Sequence, residues 1–180
     1  MSLVQRSQFI VILLTLMAHS AANAVPRADQ ETVELELQFI YIGASHCGFC
    51  KNPDIRAAIQ EARSVYARRA QERGVTFVNV GVAIDSVVAD GLAFIDQNGP
   101  FDQVVVGGHF NNLAMIDYVW AMPAPTADEL PNDGIPQVIV AERSFSIKNG
   151  RRVPSQPKIL DHAIGSLIPL WANQLAPTDR

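Results

Sequence analysis

Cysteine is scarce in this chain, and its scarcity limits what can hold the fold together. The 180 residues include two cysteines, Cys47 and Cys50, within one four-residue motif. Small exported domains with an insufficient core are usually stapled by several disulfides. A single motif cannot provide such a framework, so the burial of apolar side chains must stabilise this fold.

Basic clusters and long apolar stretches are missing as well. Lys and Arg total 14 against 18 Asp and Glu, and basic side chains occur at most in pairs such as Arg68-Arg69 and Arg151-Arg152. Nucleic-acid-binding domains usually carry a basic patch, so we expect no nucleic-acid partner. No stretch approaches the roughly 20 apolar residues that span a bilayer, so we expect no stable membrane insertion.

The first 24 residues differ in composition from the rest of the chain. Arg6 gives a basic start, Phe9–Met17 is apolar except for one threonine, and Ala22-Asn23-Ala24 fits a small-x-small cleavage pattern. This order is typical of a secretion signal, and a run of about nine residues is too short for a membrane anchor. We therefore predict a signal peptide over residues 1–24, cleaved after Ala24. The remaining domain, residues 25–180, is expected in the periplasm, with secretion as the alternative.

The first part of the predicted domain alternates strand, helix and strand. Thr32–Gly43 alternates apolar and polar residues and ends apolar on both faces, which is typical of a strand that enters a sheet centre. Helical spacing follows from Cys47 to about Glu72, with a kink expected at Pro53 and an end at Gly74. Val75–Ile84 is a second buried strand. The order predicts two parallel strands joined by a crossover helix.

The rest of the chain predicts further strands and helices around proline-rich loops. They are a helix capped by Asp85 or Ser86 and running to about Gln97, a strand over Phe101–Gly107, a helix from Asn111 or Asn112 through Trp120, a loop over Met122–Gly134, strands over Ile135–Val140 and Ser144–Lys148, and a helix over Asp161–Leu175 kinked near Pro169. About fifty residues precede Gly134 after the second strand, more than one crossover needs. We therefore expect an insert over about residues 85–133.

The Cys47-Gly48-Phe49-Cys50 motif lies where the first predicted strand passes into a helix. Free backbone N–H groups and the helix dipole stabilise an anion at such a junction, which makes the first thiol the attacking thiolate. The second thiol, one turn further on, can then resolve a mixed disulfide. This chemistry predicts Cys47 as nucleophile and Cys50 as resolving thiol, with no organic cofactor or metal.

Two other interpretations of the cysteine pair compete with thiol exchange. As a purely structural disulfide, a loop of four residues would contribute only about 2 kcal/mol. As half of a zinc site, the pair would need ligands from His46, His109 or His162, and no second Cys-x-x-Cys or His-x-x-x-His spacing exists. Thiol–disulfide exchange fits the motif better than either.

Three features, in this order along the chain, resemble the thioredoxin superfamily. They are the apolar strand leading into the cysteine motif, the helix after it, and Gly134-Ile135-Pro136 leading into an apolar strand far downstream. In that superfamily a cis-proline at the head of a strand packs against the dithiol, and the residue before it pairs with substrate. The resemblance implies that Pro136 is this cis-proline and that Ile135 binds substrate. It also implies a thioredoxin-like three-layer α/β fold: a central mixed sheet flanked by helices, with a mostly helical insert before the cis-proline strand.

Departures from typical thioredoxins leave the direction of electron flow open. His46 stands where thioredoxins have tryptophan, Gly48-Phe49 replaces Gly-Pro, and Tyr41 occupies the place of a buried carboxylate that serves proton transfer. His46 can add positive charge near Cys47 and so tune its pKa, or it can be a solvated turn residue; both interpretations stay open.

The sequence as a whole predicts an exported thiol–disulfide oxidoreductase. Its partners would be protein thiols and disulfides and a redox protein that recharges the pair. The alternative is a non-catalytic thioredoxin-like binding module for an exported partner, with vestigial or permanently oxidised cysteines.

The predicted insert carries apolar and histidine side chains with two possible roles. Phe110, Met115, Tyr118 and Trp120 could bind a partner, but aromatic residues at helical spacing are more often core. His109 could approach the dithiol or cap a loop, and the second role is favoured.

Overall fold

A computed structural model describes residues 33–123 and 134–175 of the chain. The predicted signal peptide and most of the predicted Met122–Gly134 loop lie outside the described residues, so the signal peptide and the domain boundaries stay predictions. Across the described ranges, no helix is both long enough and apolar enough to span a membrane.

Six strands, three α-helices and several short helical turns make up the described structure. In chain order they are β1 (Glu34–Gly43), a 3-10 turn (Phe49–Lys51), α1 (Pro53–Arg73), β2 (Thr76–Ala83), α2 (Val88–Asn98), β3 (Gln103–Val106), a 3-10 turn (His109–Asn111), a π-helical turn (Met115–Val119), β4 (Gln137–Lys148), β5 (Arg151–Pro154), β6 (Lys158–Ile164), a 3-10 turn (Gly165–Leu167) and α3 (Ile168–Leu175).

The strands form one mixed sheet in the order β3-β2-β1-β4-β5, with β6 also paired to β4. The strands β1, β2 and β3 run parallel, whereas β4 is antiparallel to β1, β5 and β6. The middle of β1 is buried on both faces, which agrees with the apolar end of that strand. This arrangement confirms the predicted fold class and the parallel pair with its crossover helix.

Both faces of the sheet are covered. Phe39 and Tyr41 of β1 lie on one face, where their rings pack against Tyr66 of α1 and Phe94 of α2, at centroid distances of 6.2 and 5.9 Å. On the opposite face, the Tyr118 hydroxyl donates to the Gln38 side chain at 2.8 Å. Helices therefore lie on one side, and the Met115–Val119 turn covers the other.

Of the four apolar insert residues singled out in the sequence, most belong to the core and do not form a partner-binding face. Met115 and Tyr118 are buried against the sheet. Trp120 is half exposed, and its indole N–H donates to the Phe110 carbonyl oxygen at 2.9 Å, which ties the two aromatic residues to each other.

Helix α1 begins later than the sequence suggests, so the prediction of a helix from Cys47 with a kink at Pro53 is wrong. The Asn52 side chain accepts hydrogen bonds from the backbone N–H groups of Asp54 and Ile55, at 2.8 and 3.4 Å. Asn52 therefore caps the helix and Pro53 occupies its first position, where proline is well tolerated. The 3-10 turn Phe49–Lys51 contains Cys50, and Cys47 lies just before it.

The predicted strands over Ile135–Val140 and Ser144–Lys148 are one continuous strand, β4. The gap between the two predicted strands contains the charged residues Glu142 and Arg143. In the fold, Glu142 pairs with Arg73, and Arg143 contacts Asp117 at 3.1 Å. These partners allow charged residues to continue the strand at the sheet centre.

The predicted helix over Asp161–Leu175 is only half correct. Its first residues belong to β6, which pairs with β4, and Gly165 then turns the chain at a φ of 56° before α3 begins at Ile168. Pro169 lies in the first turn of α3, where it causes no kink. The hairpin strand β5 was not predicted.

Candidate redox site

Cys47 and Cys50 form a disulfide just beyond the carboxyl end of β1. The two residues differ in accessibility: Cys47 is 7% exposed, whereas Cys50 is fully buried. The backbone N–H of Cys50 donates to the Cys47 Sγ atom at 3.0 Å. Of the two cysteines, Cys47 alone keeps some exposed surface, and its sulfur faces a hydrogen-bond donor.

The turn that carries the cysteines is held from two sides. The Lys51 backbone N–H donates to the Gly48 carbonyl oxygen at 3.1 Å. The Arg56 Nε atom, from the second turn of α1, donates to the Cys50 carbonyl oxygen at 3.0 Å. Phe49, between the cysteines, is 55% exposed and forms part of the surface beside Cys47.

The segment before β4 lies directly beside the disulfide. The carbonyl oxygen of Ile135 is 3.6 Å from Cys47 Sγ, the Ile135–Pro136 peptide bond is cis, and Pro136 is buried. Antiparallel pairing produces this proximity, because Ile42 near the end of β1 faces Gln137 at the start of β4. The structure thus brings Cys47, Cys50, Ile135 and Pro136 together.

The sheet order β3-β2-β1-β4, with β4 antiparallel to β1 and a Cys-x-x-Cys pair just beyond the carboxyl end of β1, defines the fold. The fold is thioredoxin-like. A comparison with solved structures finds two chains that align with this one. One is a protein described as thiol:disulfide interchange protein DsbE from Chlorobium tepidum, 17% identical over 78% of this chain and 77% of that chain, with a TM-score of 0.37. The other is ScoI from Arabidopsis thaliana with copper bound, 13% identical over 78% and 81% of the chains, with a TM-score of 0.38.

Similarity at this level carries no information on function. No protein-family model and no curated protein sequence matches this chain significantly. The case for function in this thioredoxin-like domain therefore depends on its own residues.

His46 and Asp85 form a contact beside the cysteines that the sequence did not indicate. The His46 side chain is 65% exposed, and its Nδ1 atom lies 3.6 Å from Asp85 Oδ1. The prediction that Asp85 caps α2 is wrong, because that helix begins at Val88 without a side-chain cap. The carboxylate instead accepts a hydrogen bond from the Ser45 backbone N–H. Its position directly after a buried strand could have indicated a site residue at the carboxyl edge of the sheet.

Tyr41, at the position of the proton-transfer carboxylate in thioredoxins, cannot serve as a base here. Its side chain is buried, and within residues 33–123 and 134–175 its hydroxyl has no hydrogen-bond partner. Burial raises the pKa of Tyr41 well above its usual value, and the nearby Arg56 charge opposes this only in part. The hydroxyl therefore stays protonated at neutral pH.

We predict that removing the Tyr41 hydroxyl does not destabilise the protein. Tyr41→Phe should leave the free energy of unfolding unchanged or raise it by up to about 1 kcal/mol, because an unpaired buried hydroxyl carries a desolvation cost. Tyr66 is a matched control, since its hydroxyl donates to the Asp161 carboxylate at 2.7 Å. Tyr66→Phe should lower the free energy of unfolding by about 1–3 kcal/mol in denaturant titrations. A larger loss for Tyr41→Phe than for Tyr66→Phe would contradict this account.

Gln137 and His162 support the Ile135–Pro136 segment from behind. The Gln137 Nε2 atom donates to the Gly134 carbonyl oxygen at 2.6 Å, and its Oε1 atom lies 3.0 Å from His162 Nε2. Because Gln137 is fully buried, this amide fixes the chain on the approach to Pro136.

Acidification should weaken the fold partly through His162. Burial lowers the pKa of His162, and the adjacent Asp161 charge offsets this only in part. The folded state therefore favours neutral imidazole, and its contribution to stability, present above about pH 6.5, is lost as the pH falls below that value. We expect the thermal midpoint to fall more steeply with acidification in the wild type than in His162→Gln. An equal fall of the thermal midpoint with pH in the two proteins would contradict a contribution of His162 to the acid sensitivity.

His109, the third histidine of the described residues, lies apart from these contacts. The His109 ring packs edge-on against Phe110, with centroids 4.5 Å apart, in the turn after β3. Across the described residues, His, Cys, Asp and Glu side chains nowhere gather in a group of three or more that could hold a metal ion.

Proposed function

We propose that this protein is an exported thiol–disulfide oxidoreductase that exchanges disulfides with protein substrates through Cys47. The observation that carries the proposal is the asymmetry of the pair: Cys47 keeps 7% of its surface exposed, Cys50 is fully buried, and the Ile135 carbonyl oxygen lies 3.6 Å from Cys47 Sγ. A purely structural disulfide needs no such access for one sulfur alone. Export is supported by the predicted signal over residues 1–24 and by the oxidising compartment that disulfide chemistry favours.

The exchange proceeds through a mixed disulfide at Cys47. In the oxidised protein, a substrate thiolate attacks Cys47 Sγ, and the bond to Cys50 breaks with Cys50 leaving as a thiolate. A second substrate thiolate then displaces Cys47, so the substrate loses two electrons and the protein gains them. In the reverse direction, the Cys47 thiolate attacks a substrate disulfide and Cys50 releases the product. The Cys50 N–H, 3.0 Å from Cys47 Sγ, stabilises the thiolate in both directions.

Ile135 and Pro136 are proposed to contact the substrate segment that carries the reacting sulfur. Ile135 is half-buried beside Cys47, so an extended polypeptide that reaches the sulfur must pass along it. His46, next to Cys47 in the chain and mostly exposed, is proposed to influence the thiolate by its charge.

Equilibration with glutathione tests the proposal. A working pair should have a reduction potential between about −270 and −120 mV, whereas a structural bond lies below about −300 mV. The Cys47→Ser, Cys50→Ser double variant provides the blank. A value below about −300 mV would favour the non-catalytic binding module instead. Export is checked separately by the mass of the periplasmic protein, which should begin at Val25.

A further inference from the structure

Asp85 is a buried carboxylate beneath the turn that leads into Cys47, and the exchange mechanism does not use it. It follows the end of β2 and is 3% exposed. Both carboxylate oxygens lie 3.1 Å from the Ser45 backbone nitrogen, and Oδ1 lies 2.5 Å from Ser45 Oγ and 3.6 Å from His46 Nδ1. Both oxygens therefore accept hydrogen bonds from Ser45. A carboxylate, which can only accept hydrogen bonds, fits this arrangement.

The Asp85 charge is close enough to act on the cysteines. Ser45 precedes Cys47 by two residues, which span at most about 7 Å of chain. With the 3.1 Å hydrogen bond, the carboxylate lies within roughly 10 Å of the Cys47 backbone. Interactions between charges at this separation are substantial where one of them is buried, because salt and water screen them poorly.

We propose that Asp85 is a positioning residue that sets the redox balance of the Cys47–Cys50 pair. Its hydrogen bonds fix the Ser45-His46 turn, and its negative charge disfavours the Cys47 thiolate of the reduced form. The carboxylate thereby stabilises the disulfide and makes the protein less oxidising than the same fold without it. This inference rests on the proposed function, since it concerns the balance of the same pair.

Other charged groups near the turn allow a matched comparison. Lys51, Arg56 and Asp90 line, with Ser45, a surface pocket of about 200 Å³. Asp90 carries the same charge as Asp85 but is exposed, and no hydrogen bond joins it to the turn in the described structure. Water should screen most of its effect on Cys47.

The test measures the glutathione equilibrium of Asp85→Asn at about pH 8, where the thiolate contributes to the reduced state. We expect the equilibrium constant to shift about fivefold towards the reduced form, or about 20 mV for a two-electron couple. Asp90→Asn should shift it by less than about twofold. The Asp85→Asn shift should persist when His46→Gln is introduced into both the wild type and the Asp85→Asn variant. This pair compares the two states of residue 85 without the imidazole.

Three outcomes measured in folded variants would overturn the inference. They are an unchanged equilibrium in Asp85→Asn, a shift equal to that of Asp90→Asn, and a shift that disappears with His46→Gln. Asp85→Ser is a second variant that keeps an acceptor without the charge, and loss of folding in both Asp85 variants would assign the carboxylate a purely structural role. A wild-type potential below about −300 mV would instead count against the proposed function, independently of any Asp85 shift.

Discussion

Replacing Cys50 with alanine is expected to trap the protein as a covalent adduct with its substrate at Cys47. In the wild type, Cys50 lies within bonding distance of Cys47 and resolves the mixed disulfide as an intramolecular nucleophile. Effective concentrations for such reactions far exceed those of free thiols, so the adduct should persist at least about a hundredfold longer in Cys50→Ala. Reduced Cys50→Ala is mixed with a disulfide-bonded protein substrate, and the adduct is mapped by non-reducing peptide mass spectrometry.

The reciprocal variant provides the control for trapping. Cys47→Ala leaves a thiol at Cys50, which is fully buried, so we expect no adduct. Adducts at equal yield in the two variants would contradict the assignment of roles. Absence of an adduct from Cys50→Ala, in a protein that is folded and reduced, would contradict exchange at this site.

Replacing Gly43 with alanine is expected to destabilise the protein by about 1–3 kcal/mol, as overpacking of a core does. A Cβ atom at this position would lie 2.6 Å from Phe94 Cζ and 3.2 Å from Cys50 Sγ. The Phe94 ring is buried and packs against Tyr41, so it cannot move aside at low cost. The close approach of the β1 backbone to the resolving sulfur therefore requires glycine. The measurement is denaturant unfolding of the oxidised protein.

Gly48 offers the matched control, because it lies in the cysteine motif only five residues after Gly43 and is also changed by one methyl group. A Cβ atom at Gly48 would have nothing within 4 Å, and its φ of −63° suits alanine. Gly48→Ala should therefore be neutral or stabilising by up to about 1 kcal/mol. Equal stability of the Gly43→Ala and Gly48→Ala proteins would show that the packing around Cys50 is looser than described.

The sequence was most informative where local pattern and tertiary environment agree. Thr32–Gly43 and Val75–Ile84 are apolar over their last residues, and such runs occur in strands buried on both faces. The spacing from Cys47 to about Glu72 predicted a helix, of which Pro53–Arg73 forms α1, and the left-handed Gly74 ends it as expected. Resemblance, rather than pattern, indicated that Pro136 would face the cysteines, because a proline at the head of a strand is otherwise ordinary.

Prediction failed where partners distant in sequence decide the structure. Lys158–Ile164 extends as β6 because β4 offers a free edge to pair with, which local spacing cannot reveal. Asp85 resembled a helix cap because aspartate commonly precedes helices, yet its partner is Ser45, forty residues earlier. Cys50 is fully buried, with its sulfur close to the β1 backbone at Gly43, and the different exposure of Cys47 and Cys50 has no signature in the motif itself.

Alkylation of the reduced, folded protein tests the central claim most directly. A brief treatment with iodoacetamide, followed by unfolding and labelling of the remaining thiols with a heavier reagent, reports which sulfur is accessible. We expect Cys47 to carry the first label and Cys50 the second. Modification of both cysteines by the first label to the same extent, or of Cys50 ahead of Cys47, would contradict the account. In that account the Cys47 sulfur reacts with substrate and the buried Cys50 sulfur resolves the mixed disulfide.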